Sequence, residues 1–457
     1  MRPLEGKRIF VHALGCRTNI YEASALSSML SEEGAQIVDR LPFDIAIVLT
    51  CTVTSTADKK CRQLIRRLRH ELPDAAIAAC GCFVQRTSRE DLSALGVDLA
   101  VGSRLKGKLP ELLSALLEGK IERGKVLTAD LRLESGWDDL RLNCTESRAR
   151  AFLKVQDGCD RFCSYCVIPF VRGRPVSRGL DDVESEARRL VEGGCRELIL
   201  TGVNLGLYGS DISSSLGELV RRLGRIEGLS RLRFGSIEPF AVNEELLRAL
   251  AETPKFCPHL HIPLQSGDDG VLARMERGYT SADFAKMTER VRAILGEDVH
   301  LSTDLLVGFP GEDEAAFGRS LKLLSSLGFG RLHVFPYSPR PGTKACGIAK
   351  KVGRKVAHER VREAIALGKA LLDRYASRWL GREVEVLVEG RTGEVSFGYT
   401  RHYLRAEARG NSATHPEVRV KALKVQDGGL SGIVMGDFPD EEERSYGSAA
   451  TCQTGQR

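Results

Sequence analysis

Three short apolar runs near the start of the chain alternate with longer amphipathic segments. The runs are Ile9–Leu14, Ile45–Thr50 and Ala75–Ala79, and helical patterns such as Tyr21–Glu33 and Ala57–Glu71 separate them. Apolar runs of this length between helices indicate buried parallel strands. The pattern therefore predicts a parallel α/β domain, in which ligands bind at the edge formed by the carboxyl ends of the strands.

A second and longer alternation follows. Six strand-like segments, FLKVQDG, RELILTGVN, RLRFGSIEP, HLHIPLQSG, HLSTDLLVGFPGE and RLHVFPYSP, each end in small or polar residues. Helical patterns separate them, at Asp181–Glu192, Ser215–Ile226, Asn243–Glu252, Ser281–Leu295 and Asp313–Leu327. Regular β–α alternation indicates a parallel sheet. Six such units predict a partial (β/α)6 barrel with its functional groups at the carboxyl ends of the strands.

The last part of the chain changes to short strands. Glu383–Glu389 alternates apolar and polar residues cleanly, and four more short strand patterns follow before residue 438. Five short strands in about sixty residues indicate a small OB-like β-barrel, a frequent nucleic-acid module. Pro439–Arg457 carries an acidic run and small polar residues, which predicts a disordered tail.

The chain is therefore expected to be an α/β protein of three domains and a tail, which agrees with its length of 457 residues. The predicted boundaries are 6–125, 145–375, 376–438 and the tail 439–457. A polar stretch, Asp130–Ser147, suits a linker between the first two. No signal-peptide pattern and no run of eighteen apolar residues is present, so we expect a cytoplasmic protein with no membrane partner. The net charge of +6 is mild.

Thirteen cysteines in such a chain point to metal, cluster or catalytic use rather than disulfides. Cys159, Cys163 and Cys166 form a C-x3-C-x2-C array, with Tyr165 before the last cysteine. Three thiolates can hold three irons of a [4Fe–4S] cube and leave the fourth iron open to another ligand. A zinc loop is the alternative, but no histidine or cysteine follows within twenty residues of Cys166.

A second cysteine set follows the three N-terminal strands. Cys16 and Cys51 come after the first two strands, and Cys80–Gly81–Cys82 comes at the end of the third. Three cysteines at one sheet edge predict a second cluster. We favour Cys82 over Cys80 as its third ligand, because Gly81 frees the backbone to turn toward a bound group.

These cysteine sets and the motifs around them resemble the methylthiotransferase family of radical S-adenosylmethionine enzymes. The motifs are LGCRTNIYEA, LTCTVT, CGCFVQ and DGCDRFCSYCVIPFVRGR, and the likeness extends to about Phe438. The resemblance implies two [4Fe–4S] clusters. Cys16, Cys51 and Cys82 match the ligands of an auxiliary cluster, while Cys159, Cys163 and Cys166 match those of a radical cluster. Cys80 departs from the family pattern and stays an alternative ligand.

The resemblance also implies that S-adenosylmethionine serves as both radical source and methyl donor. The cofactor-binding residues expected from it are Tyr165, Gly202, Glu238, Gln265, Val307 and Gly308. Ordinary turn chemistry is the competing explanation for the residues at these strand ends. The reaction implied is hydrogen abstraction from a C–H bond followed by transfer of sulfur and a methyl group.

Basic residues suggest where RNA binds. The helix Ala57–Glu71 carries six cations between Lys59 and Arg69 and no acid, and Lys344–Arg374 is also basic. A solvated face and a phosphate-contacting face explain such a run equally well. The C-terminal barrel resembles the TRAM domain, an RNA-binding module, although an ordinary barrel rim would look similar. The candidate tRNA-binding residues are Lys59, Arg62, Arg66, Arg69, Arg401 and Arg405.

The motif LGCRTNIYEA most resembles members that act on N6-threonylcarbamoyladenosine next to the anticodon of tRNA, placing a methylthio group at C2. Methylthiolation of N6-isopentenyladenosine in tRNA, or of an aspartate in a ribosomal protein, stays an alternative. A non-catalytic RNA-binding iron–sulfur protein is a rival of another class, and the open iron argues against it. The expected partners are tRNA and an electron donor of flavodoxin or ferredoxin type, while the sulfur source is not specified.

Overall fold

The computed structural model describes residues 3–133, 136–142, 149–410 and 416–437. The predicted tail 439–457 lies outside the described residues. None of the helices in the described ranges is long and apolar enough to cross a membrane.

The first domain is built on one parallel sheet of six strands in the order β2-β1-β3-β4-β5-β6. Its strands are β1 Arg8–Ala13, β2 Gln36–Ile37, β3 Ile45–Thr50, β4 Ala76–Gly81, β5 Leu99–Val101 and β6 Lys125–Leu127. Its helices are α1 Arg17–Glu32, α2 Ser55–Glu71, α3 Cys82–Arg86, α4 Arg89–Ala94 and α5 Leu109–Leu117. The three predicted strands are adjacent at the centre of this sheet, which confirms the parallel α/β prediction.

The buried residues of helix α2 explain why its basic face points away from the sheet. Thr54 caps its first turn, because the Thr54 hydroxyl accepts a hydrogen bond from the Ala57 N–H at 3.1 Å. Cys61, Ile65 and Leu68 recur at helical spacing and are its buried residues. The cations between them therefore face away from the sheet.

The central domain contains six parallel strands in chain order, with one short antiparallel strand beside the first. Its strands are β7 Arg150–Asp157, β8 Val176–Ser177, β9 Glu197–Gly202, β10 Arg231–Phe234, β11 His259–His261, β12 His300–Val307 and β13 Arg331–Pro336. Its helices are α6 Ile168–Arg172, α7 Leu180–Glu192, α8 Leu216–Gly224, α9 Glu244–Ala251, α10 Asp269–Arg274, α11 Ser281–Leu295 and α12 Glu314–Ser326. A parallel bridge between Leu232 and Phe256 joins the two halves of the sheet. The partial (β/α)6 barrel is confirmed.

Helix α13 Arg354–Ser377 leads into a closed five-stranded barrel of strand order β14-β15-β16-β18-β17. The strands are β14 Glu383–Thr392, β15 Val395–Thr400, β16 Arg405–Arg409, β17 Glu417–Gln426 and β18 Gly429–Asp437. Its interior is packed with residues such as Val386, Leu404 and Val420. The predicted small C-terminal barrel is thereby confirmed.

The C-terminal barrel packs against the base of the central barrel. Arg231 forms a buried ion pair with Glu417 at 2.5 Å. The Arg233 guanidinium donates to the Arg401 carbonyl at 3.0 Å, and the His300 ring contacts the His402 carbonyl at 2.6 Å. The loop between β15 and β16 therefore lies at a contact between domains.

Candidate iron–sulfur site

Three cysteines meet at the carboxyl edge of the first sheet. Cys16 directly precedes α1, Cys51 directly follows β3, and Cys82 is the first residue of α3. Gly15 has φ of +96°, and a Cβ atom there would lie 2.5 Å from the Cys51 sulfur. Only glycine therefore allows the Cys16 loop to approach Cys51 this closely.

Cys80 and Cys82 have different surroundings. Cys80 lies in β4 and is fully buried in the same apolar cluster as Leu49 and Val101, and burial raises the pKa of its thiol to about 12. Cys82 instead lies beside polar groups: its sulfur accepts a hydrogen bond from Arg172 Nε at 3.0 Å and one from the Ser103 hydroxyl at 4.0 Å. The two sulfurs therefore differ in their surroundings: polar donors contact that of Cys82, and apolar side chains surround that of Cys80.

The three thiols also act on one another. Burial, together with the neighbouring Cys16 and Cys82, raises the pKa of Cys51 to about 12. In the described part of the chain, no three His, Cys, Asp or Glu side chains converge on the position of one metal ion. The all-sulfur donor set and the cationic Arg172 suit an anionic iron–sulfur cluster better than a hard divalent cation.

The second cysteine set lies on the loop after β7. Gly158 begins the loop with φ of +76°, and a Cβ atom there would lie 2.0 Å from the Arg174 carbonyl oxygen. The Cys159 N–H donates to the Gly173 carbonyl at 3.0 Å, and the Cys166 N–H donates to the Cys163 carbonyl at 2.9 Å. The loop is thus folded back on itself, with its three cysteines held by the backbone.

Two side chains donate to these sulfurs. Asn204 Nδ2 lies 3.4 Å from the Cys159 sulfur, and Arg277 Nη1 lies 3.3 Å from the Cys163 sulfur. Burial raises the pKa of Cys159, while the Asn204 hydrogen bond opposes that rise. Hydrogen-bond donors of this kind stabilise a thiolate, and they shift the reduction potential of a cluster that the thiolate binds. No motif identifies Arg277, because the contact depends on the fold.

The predicted cofactor residues lie at the mouth of the central barrel, the end formed by the carboxyl ends of its strands, where the cysteine loop also lies. Arg277 bridges Cys163 and Glu238, to which its Nη2 donates. Tyr165 packs edge to face on Phe309, with ring centroids 6.3 Å apart, and burial raises its pKa well above the usual value.

The remaining cofactor candidates are backbone positions at strand ends. Gly202 ends β9, and a Cβ atom there would lie 2.9 Å from Gln156 Oε1. Gln265 has φ of +68°, which is uncommon for a residue with a side chain, and its N–H donates to the Asp304 carbonyl at 2.9 Å. Val307 ends β12, and Gly308 follows it with φ of +79°. The structure thus brings these positions to the edge that carries the cysteine loop.

A buried charge network joins the two cysteine sites. Arg172 is 1% exposed; besides contacting Cys82, it donates to Glu22 at 2.6 Å, to Asp157 at 3.1 Å and to Asn19 at 2.9 Å. Two buried lysines complete the network: Lys154 lies 2.8 Å from Glu22 and 2.7 Å from Asp157, and Lys106 lies 3.4 Å from Glu22. Asp157 is the last residue of β7, so the network reaches from the auxiliary site to the start of the radical loop.

The candidate tRNA residues of α2 divide into two groups. Lys59 and Arg66 are exposed, and Arg62 lies over the Phe83 ring at 5.0 Å. Arg69 instead donates to the Gly96 carbonyl at 2.9 Å and pairs with Asp98 at 2.5 Å. The guanidinium of Arg69 therefore stabilises the fold.

The C-terminal candidates divide in the same way. Arg405 is 65% exposed, but Arg401 donates to the Phe256 carbonyl at 3.0 Å in the contact between domains. In the basic segment before the barrel, Arg360 is buried in an ion pair with Glu312 at 2.9 Å. Arg401 and Arg360 are therefore structural in this fold, which sequence charge counts do not reveal.

Known proteins agree with this architecture. Residues 153–324 match the radical SAM superfamily, and residues 8–102 match an uncharacterized protein family, UPF0004. The threonylcarbamoyladenosine tRNA methylthiotransferase MtaB of Bacillus subtilis (strain 168) is 35% identical over 423 residues, covering 91% of this chain and 93% of that protein. The chain belongs to the radical SAM methylthiotransferase family.

A second group of relatives has a different named substrate. The tRNA-2-methylthio-N(6)-dimethylallyladenosine synthase of Jannaschia sp. (strain CCS1) is 35% identical over 399 residues, covering 85% of this methylthiotransferase and 84% of that protein. Among solved structures, the radical S-adenosylmethionine methyltransferase TsrM of Kitasatospora setae superposes with a TM-score of 0.56 at 18% identity, covering 75% of this chain and 77% of its own. At that identity the likeness concerns the fold alone.

Membership of this family identifies the cofactors. Methylthiotransferases of this family use S-adenosylmethionine and two [4Fe–4S] clusters. The residues of this enzyme fit both clusters, because two sets of three thiols lie at two strand edges and each set has side-chain donors to its sulfurs. No cysteine in the described ranges forms a disulfide, so all six are available as ligands.

Proposed function

We propose that this methylthiotransferase acts on tRNA and places a methylthio group at C2 of N6-threonylcarbamoyladenosine next to the anticodon. The main observation behind the proposal is that the chain has two three-cysteine sites and that Arg172 connects them, since it contacts Cys82 of one site and Asp157 beside the other. The substrate follows from the relatives that are named for it, which cover 91–92% of the chain. Those named for dimethylallyladenosine cover 84–85%, so that base is the second candidate.

In this proposal each cysteine set has its own role. Cys16, Cys51 and Cys82 hold the auxiliary cluster. Cys159, Cys163 and Cys166 hold the radical cluster. When bound, the clusters and S-adenosylmethionine supply hydrogen abstraction, sulfur and the methyl group. The chain's part is to hold the two sites at a fixed separation and to stabilise the thiolates.

The cofactor pocket in this proposal is the mouth of the central barrel. Arg277 orients Glu238 and donates to Cys163, so it fixes a carboxylate beside the cluster loop. Glu238 is suited to bind a ribose hydroxyl or an ammonium group of S-adenosylmethionine. Gln265 and Gly308, both with positive φ, let the backbone approach a ligand closely.

The partners of the proposed reaction are tRNA and a reducing protein. The exposed cations of α2, the exposed face of α13 and Arg405 form the proposed phosphate-contacting surface. The clusters require a low-potential electron source, for which an electron donor of flavodoxin or ferredoxin type is suited. A cytoplasmic location follows from both partners.

The first experiment compares Cys82→Ala with Cys80→Ala after anaerobic reconstitution. The wild type should hold about eight irons per chain, and Cys82→Ala should hold about half of them, because each cluster has four. Cys82→Ala should also abolish methylthiolation of tRNA in nucleoside mass spectrometry. Cys80→Ala is the matched control, since it removes a thiol two residues away and should keep both clusters.

The outcomes separate the alternatives. Retained iron in Cys82→Ala together with loss in Cys80→Ala would reverse the ligand assignment. Wild-type enzyme that methylthiolates only dimethylallyladenosine would replace the proposed substrate by the second candidate. Wild-type enzyme that forms no 5′-deoxyadenosine from S-adenosylmethionine would leave only the RNA-binding alternative.

A further inference from the structure

The inner face of the central barrel is polar. Strand register pairs His261 with Ser302 and Asp304 with His333, and these side chains share the face opposite to the one that packs on the helices. On that outer face, Leu260, Leu301 and Leu305 belong to the apolar core. A barrel interior filled only for stability would be apolar, so this polar lining indicates a ligand.

At the base of the barrel the charges are compensated. Arg233 pairs with Glu197 at 3.1 Å, and Arg231 pairs with Glu417 at 2.5 Å. Tyr403 of the C-terminal barrel closes this end, with its ring 4.9 Å from His259. The base therefore forms a closed floor.

Nearer the mouth, the balance between positive and negative side chains is different. His261 Nε2 lies 3.1 Å from Asp304 Oδ1, and the His261 and His333 rings are 5.3 Å apart. The side chains of His261 and Asp304 are 13% and 20% exposed, so this layer is partly accessible to solvent. Burial and then the neighbouring His261, with smaller effects of Arg331 and Arg17, lower the pKa of His333 to about 4, although Asp304 opposes this. His333 is therefore neutral at pH 7 and able to donate a hydrogen bond.

Two arginines lie between the floor and this layer, close enough for their charges to act on His333. Arg17 follows the cluster cysteine Cys16, and its Nη2 lies 3.4 Å from the Tyr403 hydroxyl. Arg331 is register-paired with Ser302 on the inner face. In the described ranges neither guanidinium lies within ion-pair distance of a carboxylate, and both lower the pKa of His333. Unlike the floor, the space between it and His333 has an excess of positive charge.

We propose that Arg17 and Arg331, together with the neutral ring of His333, form a subsite for a carboxylate on the N6 substituent of the target adenosine. The inference rests on the proposed function and deepens it. A threonylcarbamoyl group carries a carboxylate and a hydroxyl, whereas a dimethylallyl group is a hydrocarbon. A site built to bind a charged group discriminates strongly against an analogue that lacks it, because its own polar groups are then left unpaired.

The test uses the full-length reconstituted enzyme and two forms of one tRNA, with N6-threonylcarbamoyladenosine or unmodified adenosine at the target position. Dissociation constants are measured for the wild type, Arg17→Gln and Arg331→Gln. Each variant should bind the threonylcarbamoylated tRNA about 10- to 100-fold more weakly, the range expected for one lost hydrogen bond to a charged group. Binding of the unmodified tRNA should not change.

Arg290→Gln is the matched control, because Arg290 is an exposed arginine of α11 on the outside of the barrel. It should change neither affinity. Arg17 and Arg331 lie in different domains, so a folding defect in one variant, detected by its iron content, leaves the other as a test. Arg331→Lys should recover part of the lost affinity.

Three results would overturn the inference. Equal weakening for both tRNAs would show that the arginines contact phosphates. Loss of S-adenosylmethionine cleavage in both variants would assign the arginines to the cofactor. Unchanged affinity for the threonylcarbamoylated tRNA would remove the subsite. In each case wild-type enzyme would still methylthiolate the threonylcarbamoylated tRNA, whereas failure of the proposed function would appear as no such product.

Discussion

Replacing Glu22 by glutamine should destabilise the contact between the first two domains. Glu22 is fully buried and contacts three cations, with the closest nitrogens of Arg172, Lys154 and Lys106 at 2.6, 2.8 and 3.4 Å. Glutamine keeps the size of the side chain but removes its charge. Removing one partner from a buried ion pair costs about 3–5 kcal/mol, because the remaining charges stay buried without compensation. Asp157 still compensates part of the positive charge, so the lower half of that range applies.

The same network gives the prediction a pH dependence. Burial by itself would raise the pKa of Glu22, but Arg172, Lys106 and Lys154 outweigh burial and lower it below the usual 4.5. A carboxyl whose pKa is depressed in the folded state stabilises the protein above its unfolded pKa, and that stability is lost as the pH falls. The difference between wild type and Glu22→Gln should therefore be full at pH 7 and shrink below about pH 4.5.

The assay is thermal unfolding of the apo-protein at one fixed scan rate. For domains of this size 1 kcal/mol shifts the midpoint by about 2–4 °C, so the first transition should fall by roughly 6–16 °C at pH 7. The control is Glu244→Gln, whose carboxylate pairs with Arg248 at 2.5 Å but is 60% exposed. An exposed pair contributes about 0–1 kcal/mol. Equal shifts in the two variants, or a Glu22→Gln shift that persists undiminished at pH 3, would refute the electrostatic reasoning.

Two further predictions concern the auxiliary site and the RNA surface. Gly15→Ala should reduce bound iron to about half, because the new Cβ would meet the Cys51 sulfur at 2.5 Å on a backbone with φ of +96°; iron assay checks this, and full iron content would contradict it. Lys59→Gln/Arg66→Gln should weaken tRNA binding and reduce its salt slope by about 2, since each lost phosphate contact removes about one unit. Titrations at two salt concentrations measure the slope, and an unchanged slope would remove α2 from the surface.

Local patterns were sufficient for much of the fold. Ser281–Leu295 is a helix with the predicted bounds, because its apolar spacing and its Thr280 capping box are both local features. The run Ile45–Thr50 is likewise a buried strand as predicted. Strands of two or three residues, such as β2 and β5, carry too few residues for any alternation to show, and sequence reasoning missed them.

The cysteine sites were predictable for a related reason. In a parallel sheet the carboxyl ends of the strands share one edge, so Cys16, Cys51 and Cys82 could be placed together before their distances were known. The groups that act on their sulfurs could not. Arg172 is 90 residues from Cys82 and 150 from Glu22 along the chain, and no local pattern reports a pairing across such separations.

Sequence alone also could not distinguish the arginines that face solvent, and so can contact RNA, from those that are held by the fold. Charge counts treat Arg66 and Arg69 alike, yet Arg69 bonds to backbone oxygens and Asp98 within its own domain. Whether a cation faces solvent or a carboxylate depends on the packing of its helix, which the run of charges does not contain. Burial therefore has to be known before a basic segment is interpreted as a phosphate-binding face.

The Arg172 network also bears on how two clusters can serve one base. Sulfur transfer requires the auxiliary site to lie at a reactive distance from the carbon that has lost its hydrogen, and displacement by about 1 Å can cost about 100-fold in rate. Arg172 contacts Cys82 on one side and Asp157, the last residue before the radical loop, on the other. Arg172 is buried, and its guanidinium donates hydrogen bonds to several buried side chains. These contacts restrict movement of one site relative to the other. The side chains of the domain contact therefore hold the two sites in a fixed relation, and Asp138 of the linker takes part through its ion pair with Lys106 at 3.0 Å.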